Sequence, residues 1–260
     1  MHWQRIVPNF AYDPKVPFFS LMVPTVETVR YTTLLEMLLS IGKPVFFTGS
    51  TGVGKSVIIQ NYISANQDKQ QLAPIQLTFS AQTNSNSTQQ TIEAKLEKKR
   101  GKKCIGSKGN STCVLFVDDV NMPMVETYGA QPPIELLRQL LDQGGFYDRP
   151  AFFWKVIEKF NILCAAAPPG GGRSALTPRF MRHFHVFNLP EPSEDAMRSI
   201  FDSILREFLI FHHFPESVRK SGNMAVAATV DLFTQITNNL LPIPAKFHYT
   251  FNLRDVAKVF

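Results

Sequence analysis

The sequence lacks long apolar runs, and this absence limits the class of protein it encodes. No stretch reaches the length of about eighteen apolar residues that a transmembrane helix needs, so we expect no membrane partner. The first ten residues, MHWQRIVPNF, also lack the apolar core of a signal peptide. The length of 260 residues predicts one large domain with a smaller one, or one domain with insertions, and the hydrophobic content of 44% allows a substantial core.

Cysteine is scarce, and the histidines are scattered. The three cysteines are Cys104, Cys113 and Cys164. Their spacing fits no metal site, which predicts reduced thiols that pack in a reducing compartment. Two histidine pairs, His183/His185 and His212/His213, lie in apolar stretches. We interpret them as packed or surface histidines rather than metal ligands.

The net charge of +6 comes from one short stretch. The segment from Lys95 to Lys108 contains seven basic residues and one acidic residue, Glu97. In the rest of the chain the numbers of basic and acidic residues are equal. One glycine-punctuated basic stretch favours a solvated loop over a nucleic-acid-binding face, so we expect no nucleic-acid partner. A local acidic partner, or a nucleotide, is the alternative.

A phosphate-binding motif occupies residues 45–56, which read VFFTGSTGVGKS. An apolar, strand-like run at 45–47 precedes the pattern G-x-x-x-x-G-K-[ST] at 49–56, and an amphipathic segment begins at Val57. This strand–loop–helix context distinguishes a phosphate loop from the alternative, a glycine-rich turn with a solvated lysine.

The residue types suit phosphate chemistry. Glycines let successive backbone N–H groups point at phosphate oxygens, and the following helix adds its positive end. Lys55 can reach the β- and γ-phosphates, and Ser56 can hold Mg²⁺. The predicted nucleotide-binding residues here are Gly49, Ser50, Thr51, Gly52, Val53, Gly54, Lys55, Ser56 and Val57.

A second motif follows at residues 113–119. An apolar run typical of a strand buried on both faces ends in Asp118 and Asp119, which is the Walker B pattern. Asp118 would orient Mg²⁺, and Asp119 lies where a water-activating carboxylate is needed. The alternative, two acids in a strand-end turn, is disfavoured by the phosphate loop upstream.

Hydrophobic periodicity predicts an α/β region followed by helices alone. The predicted strands are residues 45–47, 74–79, 113–117, 152–156, 160–166 and 186–189. The predicted helices are 26–39, capped by Thr25, one from 57, 89–99, one from Pro132 to the glycines at 144–145, one after Ser193, 224–240, and one from 251.

The domain prediction has three parts. Residues 1–24, rich in proline and aromatics, form an extended arm; residues 25–189 form the large α/β domain; residues 190–260 form a small helical domain. The sequence stops without a helix-end signal, so we expect a truncated piece of a longer protein.

The motifs together resemble an AAA+ ATPase module and, more closely, one branch of that family. Seven segments, in order, are similar to the third AAA+ module of an axonemal dynein heavy chain. They are VPTVETVRY (23–31), FTGSTGVGKS (47–56), FVDDVNMP (116–123), ETYGAQPPIELLRQ (126–139), PPGGGR (168–173), TPRFMRHF (177–184) and HYTFNLRD (248–255). The resemblance covers essentially the whole chain.

The resemblance implies a P-loop parallel sheet sandwiched by helices, with a helical lid, as one module of a six-module ring in a ciliary motor. It implies ATP or ADP with Mg²⁺ as ligands and neighbouring AAA+ modules as partners. Microtubules and the intermediate and light chains would be reached only through parts outside this sequence. The implied location is the axoneme of the cilium, within the cytoskeleton of the cytoplasm.

The resemblance also assigns roles by position. Arg254 matches the sensor-2 arginine that touches the γ-phosphate, the alternative being a solvated arginine at a helix start. Together with Lys55 and Asp119 it forms the expected catalytic set. Arg179 or Arg182 matches the arginine finger, which acts in trans on a neighbour's nucleotide. The expected adenine contacts are Val23, Pro24 and Thr25.

Two departures from the family pattern predict weak hydrolysis with binding intact. Asp119 stands where such hydrolases usually carry the longer glutamate, and a base must reach the water it activates. Ala167 or its neighbour stands where a polar sensor-1 residue is usual. The main reading is a regulatory module of a motor. The alternatives are a competent ATPase module, a structural ring segment with permanently bound nucleotide and, disfavoured by the charge distribution, a nucleic-acid remodelling protein.

Overall fold

Nine strands form two sheets in the computed structural model, which describes residues 2–18, 21–101, 103–243, 245–246 and 248–260. Phe19 and Ser20 of the predicted arm and Lys102 of the basic stretch lie outside the described residues. The strands are β1 Val45–Thr48, β2 Leu72–Thr78, β3 Glu97–Lys98, β4 Cys104–Gly106, β5 Thr112–Asp118, β6 Gly145–Tyr147, β7 Trp154–Glu158, β8 Phe160–Ala166 and β9 His185–Asn188.

Helices lie between groups of one to three strands up to β9 and then follow one another without strands. They are α1 Val26–Ser40, α2 Lys55–Asn66, α3 Ser85–Ala94, α4 Pro132–Gln143, α5 Pro178–Met181, α6 Glu194–Phe211, α7 Glu216–Asn239 and α8 Leu253–Ala257, after a short 3-10 helix Trp3–Arg5. The predicted α/β class is therefore confirmed. None of the helices in the described ranges is long and apolar enough to cross a membrane.

The chain divides into two compact parts. The sheet part comprises Thr32–Ser50 and Ile58–Leu189, and the helical part comprises Met1–Tyr31, Thr51–Val57 and Pro190–Phe260. The phosphate loop is shared, since its first residues belong to the sheet part and its remainder to the helical part.

The main sheet of the sheet part is parallel, with strand order β2-β5-β8-β1-β9. The central strands β5 and β8 are buried along almost their whole length, which explains why they read as continuous apolar runs. The apolar face of α4 packs into the same core, where Leu137 and Leu140 join Leu115 and Ile162. Left-handed Gly144 ends α4 as predicted.

The smaller sheet has the order β3-β4-β7-β6. The basic stretch, predicted to be a solvated loop, contains the antiparallel pair β3–β4, in which Glu97 lies opposite Gly106. The strand predicted at 152–156 is β7, which starts at Trp154 and pairs with β6 in antiparallel orientation.

Two helix predictions had boundaries that were wrong by four or more residues. The helix predicted at 89–99 is α3, Ser85–Ala94, because the side chain of Asn84 accepts a hydrogen bond from Ser87 N at 2.9 Å and starts the helix earlier. The helix predicted at 224–240 begins eight residues earlier, at Glu216. Gly222 hid this start, since glycine normally disfavours a helix interior. Here a Cβ at Gly222 would lie 3.1 Å from Leu209 Cδ1, so the glycine permits close packing of α6 and α7.

The core of the helical part is small and aromatic. Met197 and Phe201 of α6, Val226 and Val230 of α7, and Val256 of α8 form its buried cluster. Ser193 caps α6 as predicted, accepting from Ala196 N at 3.2 Å. Within the predicted arm, Tyr12 packs edge-on against Phe208 and Phe211 of α6, with ring centroids 6.0 and 5.7 Å apart.

Candidate nucleotide-binding site

The phosphate loop connects β1 to α2 and has a backbone that only glycine adopts readily. Gly52 and Gly54 have φ values of 89° and 88°, in the left-handed region. A Cβ at Gly54 would meet no atom within 4 Å, so this residue borders open space. An open, glycine-lined curl before a helix of 12 residues suits a phosphate group.

Lys55 and Ser56 lie in the first turn of α2, which begins two residues before the predicted start at Val57. Lys55 is only 8% exposed, a degree of burial that is unusual for a lysine. Ser56 is half-buried. A buried ammonium and a hydroxyl at a helix start, next to the glycine curl, fit a phosphate chain with its Mg²⁺.

Within the sheet part, the parallel strands bring three candidate segments to one edge. Thr48 at the end of β1 lies opposite Ala166 of β8, and Val117 of β5 lies opposite Cys164 of β8. The residues that follow these strands, including Gly49 and Ser50, therefore leave the sheet from the same edge. Ligands of α/β sheets bind at this carboxyl edge.

The two acids after β5 form a tight turn. Asp118 is the last residue of the strand, and its Oδ1 accepts a hydrogen bond from Asp119 N at 3.1 Å. Asp119 is left-handed, with a φ of 49°, and its carbonyl accepts from Met122 N at 3.0 Å. Both side chains are half-buried at the carboxyl edge. The structure thus places the predicted magnesium and water-activating carboxylates side by side.

Sequence reasoning missed Asn121, two residues beyond the acids. Its side chain is 2% exposed, and its Nδ2 donates to the carbonyl oxygen of Ala167 at 2.8 Å. Its own carbonyl accepts from Ser174 N at 3.0 Å. The only signal was a polar residue inside the otherwise apolar sequence VNMP. Ala167, which the resemblance places at or next to the sensor-1 position, is buried.

The remaining predicted contacts of the nucleotide lie in the helical part. Val23 is buried, and Pro24 is half-buried. Thr25 caps α1 as predicted, since its Oγ1 accepts from Thr28 N at 3.2 Å while Thr28 Oγ1 accepts from Thr25 N at 2.7 Å. The adenine-binding role predicted for these residues remains a hypothesis.

Arg254 lies in the first turn of α8 and is exposed. Asn252 caps this helix, accepting from Arg254 N at 2.8 Å, while Asp255 Oδ2 accepts from Asn252 N at 3.1 Å. The cap also contacts the phosphate loop, because a Cβ on Gly52 would lie 3.2 Å from Asn252 Cβ. The helical part therefore brings the loop and the start of the Arg254 helix together.

The two candidate finger arginines differ in their surroundings. Arg182 donates to Asp142 Oδ1 at 2.9 Å, whereas Arg179 is exposed and has no ion pair within the described ranges. Arg138 and His183 also contact Asp142, at 2.9 and 3.2 Å. Burial acts to raise the pKa of Asp142, but hydrogen bonds from Arg182 and the charge of His183 outweigh it and lower that pKa. The expectation that His183 lies in apolar surroundings was wrong.

Comparison with known proteins identifies the family. The family described as "P-loop containing dynein motor region" matches residues 10–192, and "AAA+ lid domain" matches residues 225–260. Human dynein axonemal heavy chain 6 is 52% identical over 256 residues, which are 98% of this chain and 6% of that protein.

Two further relatives have the same relationship to the chain. Mouse dynein axonemal heavy chain 12 is 41% identical over 260 residues, covering all of this chain and 8% of the relative. Human dynein axonemal heavy chain 1 is 42% identical over 269 residues, which cover 99% of this chain and 6% of that relative. The chain therefore spans less than a tenth of the length of these curated relatives, and it belongs to the P-loop-containing dynein motor regions as an AAA+ module with its lid.

Proposed function

We propose that the chain is the third AAA+ module of a ciliary dynein motor ring, where it binds ATP or ADP with Mg²⁺ and regulates the microtubule motor cycle while hydrolysing ATP slowly. The names of its relatives, all dynein axonemal heavy chains, support the axonemal assignment. The proposed division is an arm at 1–24, a nucleotide-binding domain at 25–189 and a lid at 190–260.

Binding would rest on the phosphate loop. The N–H groups of residues 49–57 would surround the phosphates, and buried Lys55 would neutralise part of their charge. Ser56 and Asp118 would hold Mg²⁺, which supplies positive charge at the phosphate oxygens when bound. Arg254, at the start of the lid helix, would contact the γ-phosphate, and Val23, Pro24 and Thr25 would border the adenine.

Slow hydrolysis is supported by one observation at the carboxyl edge of the sheet. At the end of β8 the structure has the buried methyl group of Ala167, whose carbonyl is already bonded to Asn121. A methyl group cannot orient the attacking water or contact the γ-phosphate. Asp119, one methylene shorter than glutamate, must act as the base alone from a fixed turn. The module would then keep ATP bound for a long time before hydrolysing it, as a regulatory module requires.

The arginine that this chain offers to a neighbour is proposed to be Arg179. Its side chain is exposed, whereas Arg182 is tied to Asp142. Such a finger acts in trans, so this module needs the arginine of another module to complete its own site. An isolated fragment would lack that group, whose loss costs roughly a thousandfold or more in turnover. Other modules of the heavy chain are thus the proposed direct partners; microtubules and smaller chains would be reached through other parts.

A fully competent ATPase module that contributes directly to force production is the second candidate. It is favoured by the complete set of Lys55, Ser56, Asp118 and Asp119, with the last two held in a defined turn. The two candidates differ in the rate of chemistry and not in binding.

The test uses the heavy chain that carries this module, with Lys55→Ala as the background for all other sites. Nucleotide would be extracted after gentle purification, and exchange and hydrolysis of radiolabelled ATP would then be followed. We expect a bound nucleotide that exchanges with slow turnover, further reduced by Asp119→Asn. Fast turnover abolished by Asp119→Asn would support the competent ATPase instead. ADP that never exchanges would indicate a structural ligand, and no Lys55-dependent nucleotide would refute binding altogether.

A further inference from the structure

Asn121 connects three segments of the sheet part: the turn after β5, the residue that follows β8, and the loop at Ser174. Its Nδ2 donates to Ala167 O at 2.8 Å, just beyond β8, and its carbonyl accepts from Ser174 N at 3.0 Å. Two residues before it lies Asp119. With 2% of its surface exposed, Asn121 makes these contacts away from competing water, where each bond is stronger.

The turn next to Asn121 contains a residue in an unfavourable backbone conformation, which neighbouring contacts must stabilise. Asp119 is left-handed, a conformation that non-glycine residues keep only when surrounding contacts determine it, and which occurs often at active sites. The next residue, Val120, donates from its N to Ala165 O at 3.2 Å, and Met122 N closes the turn on Asp119 O at 3.0 Å. Val120 and Asn121 thus bind Ala165 and Ala167, two residues apart, at and just beyond the end of β8.

The side chain of Asn121 makes its hydrogen bond through the donor atom Nδ2 of its carboxamide. Asn121 Oδ1 is buried and has no hydrogen-bond partner in the part of the chain that the structure describes. Its Nδ2, by contrast, has a short, buried bond to a main-chain carbonyl. A substitution that keeps the oxygen and removes the donor therefore separates the two ends of the side chain.

We propose that Asn121 is a positioning residue for Asp119, and that its Nδ2 bond to Ala167 fixes the turn that aims the Asp119 carboxylate. The inference rests on the proposed function, in which Asp119 activates water. It extends that function by assigning the missing polar contribution at Ala167 to a residue in the turn after β5, which acts on the base instead of on the phosphate. Asn121 touches no reacting atom in this scheme.

A matched control lies at the start of β8, the end of that strand opposite to Ala167. Asn161, near the start of β8, is also buried and donates from Nδ2 to a main-chain carbonyl, that of Leu39, at 3.3 Å. Asn161→Ala removes a comparable bond from the same sheet without touching the carboxyl edge. Any effect common to both variants reflects general stability.

The first measurement is amide hydrogen exchange in the full heavy chain, read on the peptide that spans residues 118–122. We expect exchange to rise roughly tenfold in Asn121→Ala, the effect of a lost buried hydrogen bond, and to stay at the native rate in Asn161→Ala. Equal exchange in the two variants would overturn the proposal. This readout needs no turnover, so it decides the proposal even if nucleotide binding fails.

The second measurement is single-turnover hydrolysis above the Lys55→Ala background. In Asn121→Ala we expect the rate of chemistry to fall about tenfold, with nucleotide affinity unchanged. Asn121→Asp should be equally slow at neutral pH, because a carboxylate cannot donate to Ala167 O, and should recover as pH falls and the acid becomes a donor. Native rates for Asn121→Asp at neutral pH, or a loss of affinity instead of rate, would contradict the positioning role.

Discussion

A Cβ atom on Gly52 would lie 3.2 Å from Cβ of Asn252, the residue that caps α8 ahead of Arg254. Within the helical part, the tip of the phosphate loop and the start of this helix are therefore packed so closely that a side chain at position 52 would press on Asn252. A displacement of the loop would move the cap, and with it the backbone of Arg254. The contact therefore joins the phosphate loop to the cap of the lid helix within the helical part.

Substitutions at two glycines of the loop test this contact. Gly52→Ala and Gly54→Ala both force alanine into a left-handed backbone, at φ values of 89° and 88°. That strain costs about 1–2 kcal/mol at either site. Only Gly52→Ala also presses on Asn252, because a Cβ at Gly54 meets nothing within 4 Å. We expect Gly52→Ala to be the less stable variant by thermal unfolding.

The outcome that would contradict this contact is equal destabilisation by the two alanines. As a further check, Asn252→Gly combined with Gly52→Ala should recover part of the additional loss, since it removes the side chain that the new methyl group meets. The same replacement with Gly54→Ala should recover nothing, and a double-mutant comparison separates the two cases.

Removal of the buried lysine should abolish tight nucleotide binding. Lys55→Ala deletes a charge that is 8% exposed at the start of α2, and hydrogen bonds to charged groups contribute about 1.5–3 kcal/mol, or roughly 10- to 100-fold in affinity. Binding of a fluorescent ATP analogue measures the loss. Lys43→Ala, an exposed lysine just before β1, is the control and should bind like the native protein. Comparable weakening by both would show that the effect is general charge.

The two arginines around α5 should have separable effects. Arg182→Ala breaks the hydrogen bond to Asp142 and should lower the stability of this chain by about 1 kcal/mol or less, as for a partly exposed ion pair. Arg179→Ala removes no ion pair seen among the described residues and should leave stability unchanged. In the intact heavy chain it should instead slow ATP turnover. If Arg182→Ala gave the larger loss of turnover at native stability, the finger assignment would have to be reversed.

The sequence predicted the main sheet well because its strands are marked by burial. β5 and β8 are apolar throughout, and each ends at the residue where polar or small side chains begin. The start of a helix was harder to predict where the first turn of the helix contains few apolar residues. α3 is mostly polar, so its start at Asn84 could be seen only from the side-chain bond to Ser87.

The candidate site was predictable where a residue type is required by chemistry. Lys55 and Asp118 belong to motifs with fixed spacing, and their positions beside the glycine curl and at the end of β5 follow from that spacing. Asn121 was not predictable, because its partner, the main-chain carbonyl of Ala167, is 46 residues away and has no sequence signature. The choice between Arg179 and Arg182 likewise needed the position of Asp142.

Thiol reactivity should follow burial. Burial raises the pKa of Cys113 to about 12 and that of Cys164 well above its usual range, so both stay protonated at neutral pH. Cys104 is only half-buried, although a hydrogen bond with Glu158 raises its pKa too. With an aromatic disulfide reagent at pH 8, we expect one slowly reacting thiol, removed by Cys104→Ser. Three thiols should react after denaturation, and fast reaction of Cys113 in the native protein would contradict its burial.

Acid should weaken the packing of α4 against the segment that carries Arg182. Because its pKa is lowered in the folded protein, Asp142 contributes stability that is fully present above its unfolded pKa of about 3.9 and is lost as pH falls through the folded value. Asp142→Asn removes this contribution at every pH. The variant should be less stable than the native chain at pH 7, by about 1 kcal/mol, and the difference should shrink below pH 4.

Urea unfolding at pH 7, 5 and 3 measures this convergence. Asp68→Asn, at an exposed aspartate without an ion pair among the described residues, should run parallel to the native protein. If Asp142→Asn also ran parallel down to pH 3, the carboxylate of Asp142 would contribute nothing through its charge, and its contacts with Arg138 and Arg182 would be interchangeable with neutral hydrogen bonds.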